Sequence, residues 1–430
     1  MHSRNIARAN LNSFWSRAAI AILFSGSLFF SGCALKTGKQ ARQEIAPRYS
    51  TNSPEFRQSV GSLLGPNFVS GNNITTLVNG TRIFPAMLSA IRSAKHSINF
   101  ETYVFWDGEV GREFTEALAE RARAGVHVSA ILDAQGTRKM GLENRAILRK
   151  AGVEVVKYHT AFWLDPRRYN NRTHRKLLII DGRIAFVGGA GIADQWTGNA
   201  DSPQHYRNNH YKVTGPVVAQ LQATFATDWL KTRGIVLHGD DYFPPLEGSG
   251  PYLAQAIRSS AHNENLDLMY LLVIASAKKT LRIENAYFLP DDLMRKELIA
   301  AAKRGVKVEV IVPGKHIDQK LVRAASKRHW PELMDFGIKI YEYEPTMVHV
   351  KLLIVDDTFV SVGSGNFDTR SIRLNDEANL DVLDRDFAAT QTHFFELDKQ
   401  KSREVTPDEL RGMRLGNPFQ QLAGLLAPEL

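Results

Sequence analysis

Two histidines of this 430-residue chain lie in the same short pattern, His-x-Lys-x4-Asp, which occurs twice. Its members are His174, Lys176 and Asp181 in the first copy, and His349, Lys351 and Asp356 in the second. A neutral imidazole can attack phosphorus and a second imidazole can protonate the leaving oxygen, because histidine titrates near neutral pH. Each lysine stands two residues after its histidine, so on a strand both project to the same side, where the ammonium group can hold phosphoryl oxygens. The pattern predicts phosphoryl-transfer chemistry that requires no metal.

Asp181 and Asp356 close the two copies, and the sequence leaves two interpretations of them open. Aspartate is a favoured turn residue, and Asp181-Gly182 is a strong two-residue turn signal. Each carboxylate either holds its hairpin and the neighbouring backbone or contacts the substrate. We count both among the candidate catalytic residues.

The two copies belong to a longer internal repeat. RKLLIIDGRIAFVGG follows His174 and VKLLIVDDTFVSVGS follows His349, and each segment is typical of a strand, a tight turn and a second strand. Earlier in each unit, SAKHSINFETYVF from Ser93 matches SAKKTLRIENAYF from Ser276. The chain is therefore an internal duplication with small insertions between otherwise parallel halves.

Apolar, strand-like runs alternate with helical stretches in each half, such as GREFTEALAERARAG from Gly111 and LMRKELIAAAKRG from Leu293. Strand-helix-strand order with helix-length crossovers favours an α/β fold with largely parallel pairing. The hairpins that carry the motifs add a local antiparallel part. We predict two pseudo-symmetric halves that pack face to face.

Composition divides the chain into six parts. We predict a signal peptide over 1–32, a polar and flexible tether over 33–69, a first half over 70–235, a connector over 236–261, a second half over 262–400 and a tail over 401–430. Gly, Pro and Asp residues mark the connector. The tail contains NPFQQLAGLLAPEL, which is typical of an amphipathic helix, either packed on its own domain or in contact with a membrane.

The N-terminal segment predicts export. A basic region ends at Arg17, an apolar core spans 18–30, and the sequence FSGC ends at Cys33. The core is too short for a comfortable membrane span. FSGC resembles a lipobox, with Phe30 in place of the usual Leu, and this predicts a bacterial lipoprotein that is anchored through Cys33 and faces the periplasm. The outer membrane is favoured because Ala34, and not Asp, follows the cysteine; the alternative is an inner-membrane signal anchor.

Composition also excludes several kinds of site. Cys33 is the only cysteine, which excludes an intramolecular disulfide and any metal site built on paired cysteines. The formal net charge of +9 suits anionic partners, either lipid headgroups or nucleic acid. The chain contains no HExxH, Walker loop or GxSxG elbow, and nothing that resembles a sequence-reading nucleic-acid module. We expect no metal, no cofactor and no sequence-specific nucleic-acid partner.

These segments resemble the phospholipase D superfamily, and within it the bacterial cardiolipin synthases, over about 70–400. RTHRKLLIIDGRIAFVGGAGIAD carries the likeness in the first half and HVKLLIVDDTFVSVGSGNFDTRSIRLNDEANL in the second. Gly363, Ser364 and Asn366 match the Gly-Ser-x-Asn that follows the family motif, and Glu377 matches the glutamate of its Asn-x-Glu-x-Asn segment. The resemblance implies an α/β fold of two α-β-α sandwich halves packed together around one shared active site.

The same resemblance implies roles for individual residues. His174 is implied as the nucleophile, His349 as the general acid and base, and Glu377 as the residue that orients a catalytic histidine. Further supporting residues implied in this way are Ser364, Asn366 and His210.

Two positions depart from the family pattern. Gly191 stands where the family often has Asn after the first motif. The segment Asn208-Asn209-His210 resembles an Asp-x-His element of the synthases in which the Asp is replaced. These departures predict an asymmetric active site.

The activity implied by the resemblance is phosphatidyl transfer between membrane lipids through a covalent phosphohistidine. Phosphatidylglycerol as the acceptor gives cardiolipin, with a second phospholipid such as phosphatidylethanolamine as the partner, whereas water gives phosphatidic acid. The motif residues do not separate transfer from hydrolysis. A phosphodiesterase or nuclease of the same superfamily and a non-catalytic lipid-binding protein remain alternatives, and the oligomeric state stays undetermined.

Overall fold

The structure is a computed structural model that describes residues 49–159, 171–261 and 263–411. The predicted signal peptide, Cys33 and the tail beyond residue 411 lie outside these ranges. Within them, no helix has both the length and the apolar character needed to cross a membrane.

The first half begins with a helix, alternates strands and helices through its middle part and has four strands before its last α-helix. Its helices are α1 Pro54–Leu64, α2 Gly80–Ser93, α3 Glu109–Arg123, α4 Leu142–Lys150 and α5 Val217–Arg233. Its strands are β1 Val69–Gly71, β2 Asn73–Val78, β3 Ser97–Thr102, β4 His127–Asp133, β5 Glu154–Tyr158, β6 Lys176–Ile180, β7 Ile184–Gly188 and β8 Asn209–Thr214.

The second half repeats this order with additional short elements. Its helices are α6 Asn265–Ser276, α7 Asp292–Lys303, α8 Lys320–Lys327, α9 Trp330–Met334, α10 Thr369–Arg373, α11 Arg385–Gln400 and α12 Pro407–Arg411. Its strands are β9 Gly250–Ser259, β10 Thr280–Asn285, β11 Phe288–Leu289, β12 Lys307–Pro313, β13 Lys339–Tyr343, β14 Lys351–Val355, β15 Phe359–Gly363, β16 Phe367–Asp368, β17 Glu377–Leu383 and β18 Ser402–Glu404.

The two large sheets share one strand order. The first has seven strands in the order β2-β8-β7-β6-β3-β4-β5. The second contains the equivalent series β9-β17-β15-β14-β10-β12-β13 and is extended by β1 at one edge and β18 at the other. The mixed α/β fold with two pseudo-symmetric halves, predicted from the repeat, is therefore confirmed.

The expectation of largely parallel pairing was wrong. In these two sheets only β3-β4-β5 and β10-β12-β13 are joined in parallel, and the remaining pairs are antiparallel. Helices provide the crossovers in the parallel part, whereas tight hairpins join β6 to β7 and β14 to β15. The hairpin residues Asp181, Gly182, Asp356 and Asp357 have positive φ values of 51°, 60°, 51° and 54°, as type I′ turns require.

Parts of the predicted connector and tether are regular structure. β9 occupies 250–259 of the predicted connector and lies between β1 and β17, with Ala254 and Ala256 buried. Residues 54–64 of the predicted tether form α1, where the Ser53 hydroxyl accepts a hydrogen bond from the backbone N–H of Phe56 and caps the helix. Phe56 itself is fully buried among side chains of the second half.

The apolar core holds the halves together. One buried cluster combines side chains from both sheets with side chains of α5 and α11, including Leu177, Ile179, Val187, Phe225, Leu352, Ile354, Val362 and Phe387. Because β6 and β14 both contribute to it, the residues just before these two strands are brought to the boundary between the halves. Those residues include the two motif histidines.

Phe56→Ala should lower the free energy of unfolding by about 3–5 kcal/mol, because it empties a fully buried site. Leu63→Ala on the same helix is the control, since Leu63 is 58% exposed and its loss should cost about 0.5 kcal/mol or less. Urea unfolding of both variants measures the difference. Equal effects would show that α1 does not pack as described.

Candidate active site

Each motif histidine is fixed through its backbone to the opposite half. The N–H of His174 donates to the carbonyl of Asp376 at 2.9 Å, and the N–H of His349 donates to the carbonyl of Arg207 at 2.7 Å. Asp376 precedes β17 in the second half and Arg207 precedes β8 in the first. The two histidines therefore share one site across the boundary.

A carboxylate fixes the imidazole of His174. Nδ1 of His174 lies 2.8 and 3.0 Å from the two carboxylate oxygens of Glu377. The hydroxyl of Ser364 donates to Glu377 at 2.5 Å, and all three side chains are buried. Because Nδ1 faces the carboxylate, Nε2 is the nitrogen that can attack a substrate.

Two buried lysines accompany the histidines. The ammonium group of Lys176 donates to the carbonyl of His174 at 2.6 Å, and that of Lys351 donates to the carbonyl of His349 at 3.0 Å. Burial lowers the pKa of Lys176 to about 7, and burial together with Lys176 lowers the pKa of Lys351 well below its usual value. This excess of buried positive charge fits an anionic group such as a phosphodiester.

Burial also keeps the imidazoles neutral. It lowers the pKa of both His174 and His349 well below the usual value, and the ammonium groups of Lys176 and Lys351 act in the same direction. The same burial raises the pKa of Glu377 to about 7. A neutral His174 is the form that can act as a nucleophile.

Aromatic side chains that the sequence analysis did not single out surround the histidines. The ring centroids of Trp196, Tyr206 and Tyr287 lie 5.3, 6.3 and 6.4 Å from that of His349. The ring centroid of Tyr103 lies 5.3 Å from that of His174. Tyr103 and Tyr287 occur in the matched segments FETYVF and IENAYF, which was the one signal available for them.

Asp181 and Asp356 do not belong with the catalytic groups. The Asp181 carboxylate accepts backbone N–H groups of residues 95–97, and the Asp356 carboxylate accepts those of residues 278–280. Each lies at the far end of a five-residue strand from its lysine, about 16 Å along the chain. Of the two interpretations left open, the structure supports the one in which they hold the hairpin and neighbouring backbone.

His210 does not orient a catalytic histidine, contrary to its implied supporting role. It lies opposite Gly188 in the first sheet, as Asn379 lies opposite Gly363 in the second. His210 thus corresponds to Asn379, and not to Glu377. Both of its ring nitrogens are buried without a hydrogen-bond partner in the described part of the chain, and burial lowers its pKa to about 3.

Asn366 is buried close to the same motif. It follows Ser364 by two residues, and its side-chain oxygen has no hydrogen-bond partner among the described residues. A buried amide with an open acceptor is costly unless something else satisfies it. We retain Asn366 as a candidate substrate-binding residue.

Comparisons with known proteins find relatives over most of the chain. The family model described as cardiolipin synthase, PLD-like domain, matches residues 87–229 and 270–399. The chain is 33% identical over 402 residues to the probable cardiolipin synthase YwiE of Bacillus subtilis, covering 90% of this chain and 80% of that protein. It is 32% identical over 372 residues to cardiolipin synthase A of Pseudomonas putida strain GB-1, covering 84% and 76% respectively.

A solved structure shares the fold. The crystal structure of phosphatidylserine synthase from Haemophilus influenzae Rd KW20 aligns with a TM-score of 0.68 and 15% sequence identity. The alignment covers 87% of this chain and 100% of that chain. Both halves of this protein therefore have a counterpart in that structure.

A short-chain phosphodiester should bind more tightly as the pH falls from about 8 to about 6. The pKa of Lys176 is about 7 in the free protein, so above that pH part of the protein lacks this charge. A bound anion raises the pKa again, and binding therefore takes up protons. Calorimetry in two buffers of different ionisation enthalpy measures this uptake. Lys176→Met should reduce this uptake, and an affinity independent of pH would contradict the assignment.

Proposed function

Since the chain belongs to the cardiolipin synthase family of phospholipase D-like proteins, we propose that it transfers a phosphatidyl group between phospholipids through a covalent phosphohistidine. One observation above all supports the proposal. Nδ1 of His174 is held by Glu377, which leaves Nε2 available beside Lys176 and Lys351, with His349 in the same site. These are the groups that a double displacement at phosphorus needs.

The first step forms the covalent intermediate. Nε2 of His174 bonds to phosphorus as the bond from phosphorus to the leaving alcohol oxygen breaks. His349, which the anionic phosphodiester beside it favours in the protonated form, gives its proton to that oxygen and becomes neutral. The phosphorylated imidazole carries positive charge, which the Glu377 carboxylate stabilises at 2.8 Å.

The second step returns the site to its starting state. An incoming alcohol gives its proton to His349 and its oxygen bonds to phosphorus, while the bond from phosphorus to His174 breaks. In both steps negative charge grows on the two non-bridging oxygens. Lys176 and Lys351 stabilise that charge, and each contributes about 2–4 kcal/mol if it acts like other oxyanion donors.

For the lipids, we propose phosphatidylglycerol as the acceptor and a second phospholipid, phosphatidylglycerol or phosphatidylethanolamine, as the donor. The names of the curated relatives support a cardiolipin product. The surplus of basic residues, 54 against 45 acidic ones, suits anionic lipid headgroups. Water in place of the acceptor would yield phosphatidic acid by the same two steps.

His174→Ala should abolish both lipid turnover and the phosphoenzyme, because it removes the nucleophile. The assay incubates the protein with labelled phosphatidylglycerol and phosphatidylethanolamine and identifies the products by mass spectrometry. His127→Ala is the matched control, since His127 is an exposed histidine of β4, and it should leave turnover unchanged. Retained turnover in His174→Ala would rule out His174 as the nucleophile. Phosphatidic acid as the sole product of the wild type would show that the protein is a hydrolase.

We also propose that lipidated Cys33 anchors the chain on the periplasmic side of the envelope. Two or more acyl chains suffice for stable membrane attachment. Cys33→Ser should then prevent both the lipid modification and cleavage by the lipoprotein peptidase. Mass analysis of the N-terminal peptide from extracted membranes measures this, and an unmodified Cys33 in the mature protein would favour a signal anchor instead.

A further inference from the structure

The strand register allows the two halves to be compared residue by residue at the catalytic histidines. Because His210 corresponds to Asn379, the residue two positions earlier, Asn208, corresponds to Glu377. Glu377 is the carboxylate that fixes His174. At the equivalent place, the half that faces His349 therefore presents a shorter and uncharged amide.

Asn208 does not act on His349 as Glu377 acts on His174. Its side chain is buried, and its Nδ2 has no hydrogen-bond partner in the described ranges. The amide lies against Gly189, where an added Cβ would come within 2.6 Å of its Oδ1. Ser364 occupies the corresponding place in the second half and bonds to Glu377.

His349 has hydrogen-bond donors as its partners instead of a carboxylate. Nε1–H of Trp196 donates to Nδ1 of His349 at 3.5 Å, and Nζ of Lys351 lies 3.2 Å from the same nitrogen. Gly191 provides the room, since a Cβ there would come within 3.3 Å of the Trp196 ring. Donors stabilise the neutral imidazole and oppose its protonation.

The other charged and titratable groups around His349 act mostly in the same direction. Lys176 and His174 act on it from the first half, and Lys351 acts on it from two residues further along the chain. The acidic groups nearby act on Lys351. The groups that face His349 directly or through Lys351 are Lys176, His174, Lys351, Tyr206, Tyr287, Glu377, Asp318 and Asp368.

We propose that this environment, in which Trp196 and Lys351 face His349 and Asn208 stands where the other half has its carboxylate, makes His349 an effective acid but a weak base, so that the phosphatidyl group accumulates on His174 during turnover. The inference rests on the proposed function. It adds that breakdown of the covalent intermediate, and not its formation, limits the rate.

The charges at each step give the reason. Before the first step, the phosphodiester anion of the substrate lies beside His349 and favours its protonated form. After that step, phosphorylated His174 carries a positive charge that offsets the anion. The incoming alcohol must then give its proton to a histidine to which no carboxylate of the described residues bonds, while Glu377 continues to stabilise the phosphorylated His174.

A rapid-mixing experiment on the full chain tests the proposal. The protein is mixed with dispersed phosphatidylethanolamine and phosphatidylglycerol, and released ethanolamine and glycerol are both followed with time. The wild type should show a burst that approaches one released headgroup alcohol per active site before the steady state. After an alkaline quench, which preserves phosphohistidine, mass analysis should find the phosphatidyl adduct on the peptide that contains His174.

Asn208→Asp supplies the missing carboxylate. It should reduce the burst several-fold and move the acidic limb of the pH profile for steady-state turnover to higher pH. Asn73→Asp is the control for added charge, because Asn73 is an exposed residue of β2. It should keep the wild-type burst and pH profile.

The outcomes separate this inference from the proposed function. If the wild-type protein turns over lipid without a burst, the inference is overturned and the proposed phosphatidyl transfer stands. This measurement needs no variant, so it tests the inference even if Asn208→Asp does not fold. An Asn208→Asp variant with the pH profile of Asn73→Asp would also overturn it. No turnover of either lipid would overturn the proposed function and this inference together.

Discussion

The hydrogen bond between His174 and Glu377 joins a nucleophile of one half to a carboxylate of the other. The backbone bonds of His174 to Asp376 and of His349 to Arg207 cross the same boundary. Neither half therefore contains a complete site, and the chemistry depends on the apolar core that the two sheets share. Any change that shifts one sheet against the other alters the geometry at phosphorus.

Buried arginines help to fix that boundary. The guanidinium of Arg175 bonds to the carbonyl of Glu377 and pairs with Asp228 at 2.6 Å, and Arg207 pairs with Asp398 at 2.7 Å. Breaking a buried pair of this kind costs about 3–5 kcal/mol, because one charge is left without a partner. Among the described residues no ion pair of this kind reaches Lys176 or Lys351, so burying these two charges costs stability in order to bind an anion.

The sequence was sufficient to predict the duplication, because a repeated motif with matching flanking segments can be recognised without knowledge of the fold. It indicated antiparallel pairing at the two motif hairpins but did not reveal that most other strand pairs are antiparallel as well, because no local pattern encodes which distant strands lie side by side. Nor did it reveal α1, because the segment is polar overall and its few apolar residues, such as Phe56, do not indicate a buried helix face by themselves. The role of Trp196 could not be predicted from the sequence for another reason. Its contact with His349 joins residues 153 positions apart, and no local pattern encodes such a pair.

Duplication gives the two histidines equivalent backbones, while double displacement needs them to do different things. The nucleophile must remain neutral at Nε2 and then carry positive charge, which a carboxylate favours. The acid must give up its proton readily, which donors favour. Glu377 and Ser364 meet the first need. At the equivalent places stand Asn208 and Gly189, and in the part of the chain that the structure describes no carboxylate bonds to the second histidine. The two halves thus differ around the two histidines, whose roles in the reaction differ, while the strands that carry the histidines keep equivalent backbones.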